Sequence, residues 1–174
     1  MKRLQYLALS LVVIFLSSCS NVVYHNPIPK DQKSLTEFPA KIQGSYIDSD
    51  GDTLCISTIS YRYGEINNQT LLYGELGEDL VLKKLGTYYF MNFKNDDGYW
   101  EMIGAQLESG KLTLFCIDIE NKEQVKIVNQ HISKGKARST KKGGKYIINP
   151  NNEEILSLLN DESICQKETL LKVK

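Results

Sequence analysis

The sequence predicts a mainly β fold, an antiparallel barrel or sandwich of about eight strands with one C-terminal helix, behind a cleaved signal peptide. Three observations carry this. Short runs of aliphatic, β-branched and aromatic residues are punctuated along the chain by Gly-, Asn- and Asp-containing turn signals. At the centre, Tyr88 to Lys94, Tyr99 to Leu107 and Lys111 to Ile119 are three consecutive strand patterns. They are joined by Asn95-Asp96-Asp97-Gly98 and by Ser109-Gly110, connections short enough for an antiparallel meander. Helical spacing is clearest late in the chain, where Ile155, Leu156, Leu158 and Leu159 make one apolar face between Glu153 and Asn160.

The chain opens on a basic pair, Lys2 and Arg3, followed by an apolar run from Leu4 to Leu16 broken only by Gln5 and Ser10. A bilayer crossing takes about 20 apolar residues, so this run suits a secretory leader instead. It ends in Leu16-Ser17-Ser18-Cys19. That tetrapeptide resembles the lipobox of bacterial lipoproteins: Leu, two small residues, then Cys. The resemblance implies cleavage before Cys19, thioether diacylation of its sulfur, and a third acyl chain, such as palmitate, on the new amino group. Three chains exceed the two needed for stable anchoring. Residues 1–18 are then a signal peptide. Ser20, where an inner-membrane retention signal has Asp, points to the outer membrane facing the periplasm.

Residues 19–39 read as a flexible tether. Pro27, Pro29 and Pro39 stand among polar residues without periodicity, and His25 lies there alone and solvated. Residues 40–174 form the single β-rich domain. Ile42 to Ile47 and Thr53 to Ile59 make a first hairpin around Ser49-Asp50-Gly51-Asp52. Gly64 to Asn68 reads as a loop. Thr70 to Leu76 and Leu80 to Leu85 are two further strands around Gly77-Glu78-Asp79. Beyond the meander, Glu120 to Ile132 fits either a short helix or a strand. Ser133 to Lys145 is a basic, Gly-containing loop, Tyr146 to Ile148 a short strand, and Lys167 to Val173 a final strand. Asn151 and Asn152 with Glu153 and Glu154 suit the start of the late helix. Anchor, tether, about eight antiparallel strands and a late helix together resemble small lipocalin-like lipoproteins. Gly44-Ser45-Tyr46 stands where lipocalins carry Gly-x-Trp.

With 21 basic and 21 acidic side chains and 41% hydrophobic residues, the composition is that of an ordinary globular domain. Its balance gives no field for nucleic acid. Cys55, Cys116 and Cys165 remain beyond the anchor. An oxidising compartment permits one bridge among them. Cys55 and Cys116 read as small core residues, with a Cys55–Cys116 disulfide as the alternative.

Few residues point to chemistry. Asp48, Asp50 and Asp52 resemble the start of a calcium loop, but Gly51 falls at position four and Ile59 at position twelve, so a hairpin turn accounts for them. No metal site and no cofactor are expected. Ser139-Thr140-Lys141-Lys142 matches a Ser-x-x-Lys pattern but is set aside, because it lies in the basic loop and not at a helix start; Gly143-Gly144-Lys145, in the same loop, fails as a phosphate loop. Tyr73, Tyr88 and Tyr99 are either core or the lining of a cavity. The densest charge is Lys134, Lys136, Arg138, Lys141 and Lys142, read as a solvated loop or as a contact for an acidic partner or lipid headgroup. The expectation is an anchored, non-enzymatic binding module that engages a protein or a small apolar ligand. An inhibitor or immunity-type lipoprotein against a periplasmic hydrolase is the alternative. A hydrolase comes third, and would need a nucleophile converging on His131.

Overall fold

A computed structural model describes residues 21–66, 69–140 and 143–173. The leader and Cys19 lie outside them. The main sheet holds nine antiparallel strands: β2 (Gly44–Ile47), β3 (Thr53–Ile56), β4 (Ser60–Ile66), β5 (Gln69–Glu75), β6 (Leu80–Leu85), β7 (Tyr88–Lys94), β8 (Trp100–Glu108), β9 (Lys111–Ile117) and β12 (Cys165–Lys172). Their order is β5-β4-β3-β2-β12-β9-β8-β7-β6, a nearly closed barrel-like sheet. The last strand completes it by inserting between the first hairpin and the meander, pairing Leu171 with Ile47 and Leu170 with Leu112. A small second sheet joins β1 (Val22–Val23), β11 (Tyr146–Ile147) and β10 (Arg138–Ser139). Two helices follow the meander, α1 (Lys122–His131) and α2 (Asn152–Asn160).

Turn chemistry fixes the meander. Asn95 Oδ1 accepts from Asp97 N and Tyr99 N, and Gly98 at φ 78° completes the bend. Ser109 and Gly110, at φ 50° and 78°, supply the two left-handed positions of a tight hairpin. Alternation along the strands then builds two cores. Tyr89 and Met91 point into the barrel with Tyr46, Leu82, Leu112 and Leu170. Phe90, Met102, Phe115 and Ile117 point outward, where Val128, Ile155, Leu158 and Leu159 of the helices cover them. The ambiguous segment after β9 is helical, because Asn121 caps it and Val128 buries against this outer face. A capping box between Asn151 and Glu154 starts α2.

Three expectations need correction. Gly64 lies inside β4 rather than in a loop; its φ of 63° lets the strand continue where another residue would be strained. The Cys55–Cys116 disulfide does not form, since Cys55 is a free thiol. β2 and β12 stand between β3 and β9, a separation of roughly 14 Å at ~4.8 Å per strand, about twice what a disulfide can span. Cys165 is also a free thiol, and burial pushes its pKa up to about 11.

The tether expectation fails from Asn21 onward. Val22, Val23, Tyr24, Ile28 and Phe38 are buried. Asn21 exchanges side-chain hydrogen bonds with the backbone of Ile119, at 2.8 and 3.0 Å. β1 pairs in parallel with β11, and Tyr24 exchanges backbone bonds with Trp100. Leu35 bridges to Leu82 on the free edge of β6, and Phe38 N donates to Thr58 O beyond β3. Residues 21–39 are therefore a strap that crosses the outer face and enters the open seam of the barrel.

Candidate functional site

The basic segment after α1 is tied down rather than loose. Ser133 donates through its backbone N and its Oγ to Glu154 Oε1, at 2.7 and 2.6 Å. Burial pushes the Glu154 carboxyl up, but these bonds and that from Asn151 N outweigh it and hold the group below its ordinary range. Ala137 N donates to Asn129 Oδ1. Arg138 and Ser139 then pair with Ile147 and Tyr146. Lys145 leaves the cationic set, because its Nζ lies 2.6 Å from Glu101 Oε1.

The strap is held opposite this segment by two buried polar side chains of the outer face. Asn92 accepts from Ile28 N at 2.8 Å and donates to Ile28 O at 2.9 Å. Lys83, 7% exposed, donates from Nζ to the carbonyls of Pro27, Pro29 and Lys30. Burial lowers the pKa of its ammonium, against the opposing charge of Asp31.

Between strap and basic segment is a cavity of about 310 Å³, lined by His25, Asn26, Lys30, Lys136, Arg138 and Asn149 together with Gly135, Ile147 and Ile148. Among the described residues, Lys30, Lys136 and Arg138 have no side-chain hydrogen bond or ion pair. His25 is exposed, as expected, and its ring packs against Tyr99 with centroids 5.5 Å apart. A second cavity of about 200 Å³ shares Lys30 and Asn149 with the first and adds Lys134, Asp31 and Glu154.

The structure thus divides the predicted contact loop. Lys136 and Arg138 line the larger cavity and Lys134 the smaller. Lys141 and Lys142 lie outside the described residues, as does Cys19. The sequence reading missed Lys30, Asn26 and Asn149. Lys30 was hidden by its place in a proline-bearing segment that resembled a linker.

The acidic turn is self-satisfied. Asp48 Oδ1 accepts from Asp50 N and Asp52 N, both at 2.9 Å, and its Oδ2 accepts a short hydrogen bond from the Tyr63 hydroxyl. Burial, then the charges of Asp48 and Asp50, push the Glu168 carboxyl above its ordinary range. The fold therefore favours protonated Glu168. Its stability is full below the ordinary carboxylate range and falls as pH rises through the elevated folded value. Glu168→Gln removes that penalty, so its melting temperature is expected to exceed that of the wild type by a few degrees at pH 7. The two proteins should melt together at pH 3. A lower melting temperature for the variant at pH 7 would contradict this.

A hydrogen-bonded chain links the two helices. His131 Nδ1 lies 2.8 Å from Ser157 Oγ, and His131 Nε2 lies 2.8 Å from Asp161 Oδ2. Ser163 first, then His131, draws the Asp161 carboxyl down to about 2. In serine hydrolases the histidine presents Nε2 to the nucleophile and Nδ1 to the acid, the reverse of this order. Ser157 also sits inside α2, where neighbouring backbone N–H groups are committed to helical bonds and cannot receive an oxyanion. What the chain does here is join the C-terminal ends of α1 and α2.

Tyr73 is 60% exposed at an edge strand, while Tyr46 and Tyr89 fill the barrel with Phe38, Leu82 and Leu112. The chain matches no family model, no curated protein and no solved structure.

Proposed function

We propose that this chain is a lipid-anchored protein of the bacterial envelope, a non-enzymatic binding module whose partner is anionic. The lipobox-like Leu16-Ser17-Ser18-Cys19 supports the anchor. The observation that carries the binding half is the larger cavity, where Lys30 from the strap meets Lys136 and Arg138 from a segment a hundred residues later. Like charges repel at such a site, and an anion offsets that cost. The barrel interior, filled by Phe38, Tyr46, Tyr89, Leu82 and Leu112, favours a surface site over an apolar ligand within. An inhibitor would be better served by a protruding loop, and residues 133–139 are instead pinned into a concave wall. Hydrolysis is the second reading, favoured only by the contact of Ser157 with His131.

The test has two arms. Radiolabelled palmitate should enter the wild-type protein in growing bacteria and not Cys19→Ser. In neutral detergent micelles, a short polyglutamate peptide should shift amide resonances of residues 25–30 and 134–149. Failure to label would remove the anchor, and shifts confined to other segments would remove the binding site. Labelling of Ser157 by a fluorophosphonate would move the reading to hydrolysis.

A further inference from the structure

We infer that the larger cavity is a phosphate-binding site for a small hydroxylated phosphate ester; this rests on the anionic-partner reading above. Three features select phosphate among anions. Lys30, Lys136 and Arg138 bring three positive charges, and among the described residues no acidic side chain lines the cavity. A single carboxylate leaves most of that charge unbalanced, whereas a phosphate monoester carries about −1.5 to −2 at neutral pH and three acceptor oxygens. The donors also suit it: Arg138 offers a planar fork, the lysines act as point charges, and the Asn26 and Asn149 amides add neutral donors.

Size argues against a folded acidic protein as the occupant. At about 310 Å³ the cavity is at the lower end of the range for small-molecule sites. Its walls are set in advance, because Asn92 and Lys83 hold the strap while β10 and β11 hold the other side. Little ordering is then left to oppose binding. The adjoining cavity indicates the rest of the ligand. It continues from Lys30 and Asn149, and there Asp31 and Glu154 balance Lys30 and Lys134 beside the neutral amide of Asn152, in place of surplus positive charge. Hydroxyl groups of a sugar or glycerol fit that mixture of donors and acceptors. Such an ester is available either as a free solute or as a lipid headgroup.

Isothermal titration calorimetry on the full chain in dodecylmaltoside micelles tests this, using phosphate, glycerol phosphate and acetate at fixed ionic strength and pH 7.5. Phosphate should bind with a dissociation constant on the order of 1 mM, glycerol phosphate more tightly, and acetate at least about tenfold more weakly. Arg138→Gln and Lys30→Gln should each weaken phosphate binding about tenfold, one charge-assisted contact each. Lys111→Gln, an exposed lysine on β9, should leave it unchanged. Nanodiscs separate the sources. Retention on phosphatidylglycerol over phosphatidylcholine that Arg138→Gln abolishes assigns a headgroup; equal retention with intact glycerol phosphate binding assigns a free ester. Equal affinity for phosphate and acetate, or phosphate affinity indifferent to Arg138→Gln, overturns the inference. If polyglutamate binds and phosphate does not, the inference falls and the anionic-partner reading stands. If neither binds, both fall.

Discussion

Phe38→Ala is expected to destabilise the domain by about 3–5 kcal/mol, the usual cost of emptying a well-packed aromatic site. Phe38 is 1% exposed and belongs to the barrel cluster with Ile42, Tyr46, Leu54 and Leu82. It enters that cluster from the strap, through the seam between β6 and the β3–β4 turn. Two flanking contacts fix its entry: Leu35 N bonds Leu82 O at 2.8 Å, and Phe38 N bonds Thr58 O at 2.7 Å. The surrounding strands are held in register by their own ladders and cannot close the void by moving alone. Urea unfolding gives the measurement. With a slope near 2 kcal/mol/M for a domain of this size, the midpoint should fall by roughly 1.5–2.5 M. A tether residue would behave differently. Substitutions at exposed sites stay within about 0.5 kcal/mol, so a change that small would return residues 21–39 to the role of a leash.

That contrast shows where sequence reasoning reached and where it stopped. β6 and β7 occupy the residues read from the sequence, Leu80–Leu85 and Tyr88–Lys94. Each is a short run rich in aliphatic or aromatic residues, bounded by residues that can take turn conformations. The strap has no such pattern. Val22, Val23, Tyr24, Ile28 and Phe38 meet the core from a two-residue strand and the largely irregular backbone after it, so their spacing obeys neither the strand nor the helix period. Prolines that stiffen its path are also the residues that mark linkers. The same limit hid the site. Charge density along one segment picked out Lys136 and Arg138, but no local signal says that Lys30 faces them. Cys55 and Cys116 failed for a related reason: alternation places each within a strand, and says nothing of which strands become neighbours. Ser157 and Asp161, one helical turn apart, share a face legible in advance; that His131 meets them depends on how α1 packs on α2.

Asn92→Leu is expected to cost about 3–5 kcal/mol as well, by a different route, and to disable the site with it. Asn92 is fully buried on the outer face of β7. Its amide satisfies both backbone polar groups of Ile28, and its Nδ2 also approaches the carbonyls of Phe90 and Val81, at 3.1 and 3.2 Å. Leucine matches its volume but leaves the N–H and C=O of Ile28 buried without partners, at about 1–3 kcal/mol each. The cheaper response is for the strap to lift, and that response carries Lys30 away from Lys136 and Arg138. Lys83 resists it, since its three carbonyl bonds fall on Pro27, Pro29 and Lys30. Lys83→Met combined with Asn92→Leu should therefore lose more than the sum of the single variants, because each clamp holds what the other releases. Hydrogen exchange reads the local event: the Ile28 amide, protected in the wild type, should exchange far faster in Asn92→Leu while amides of β8 and β9 stay slow. Persistent protection of Ile28 together with a loss under about 1 kcal/mol would mean that Asn92 does not hold the strap.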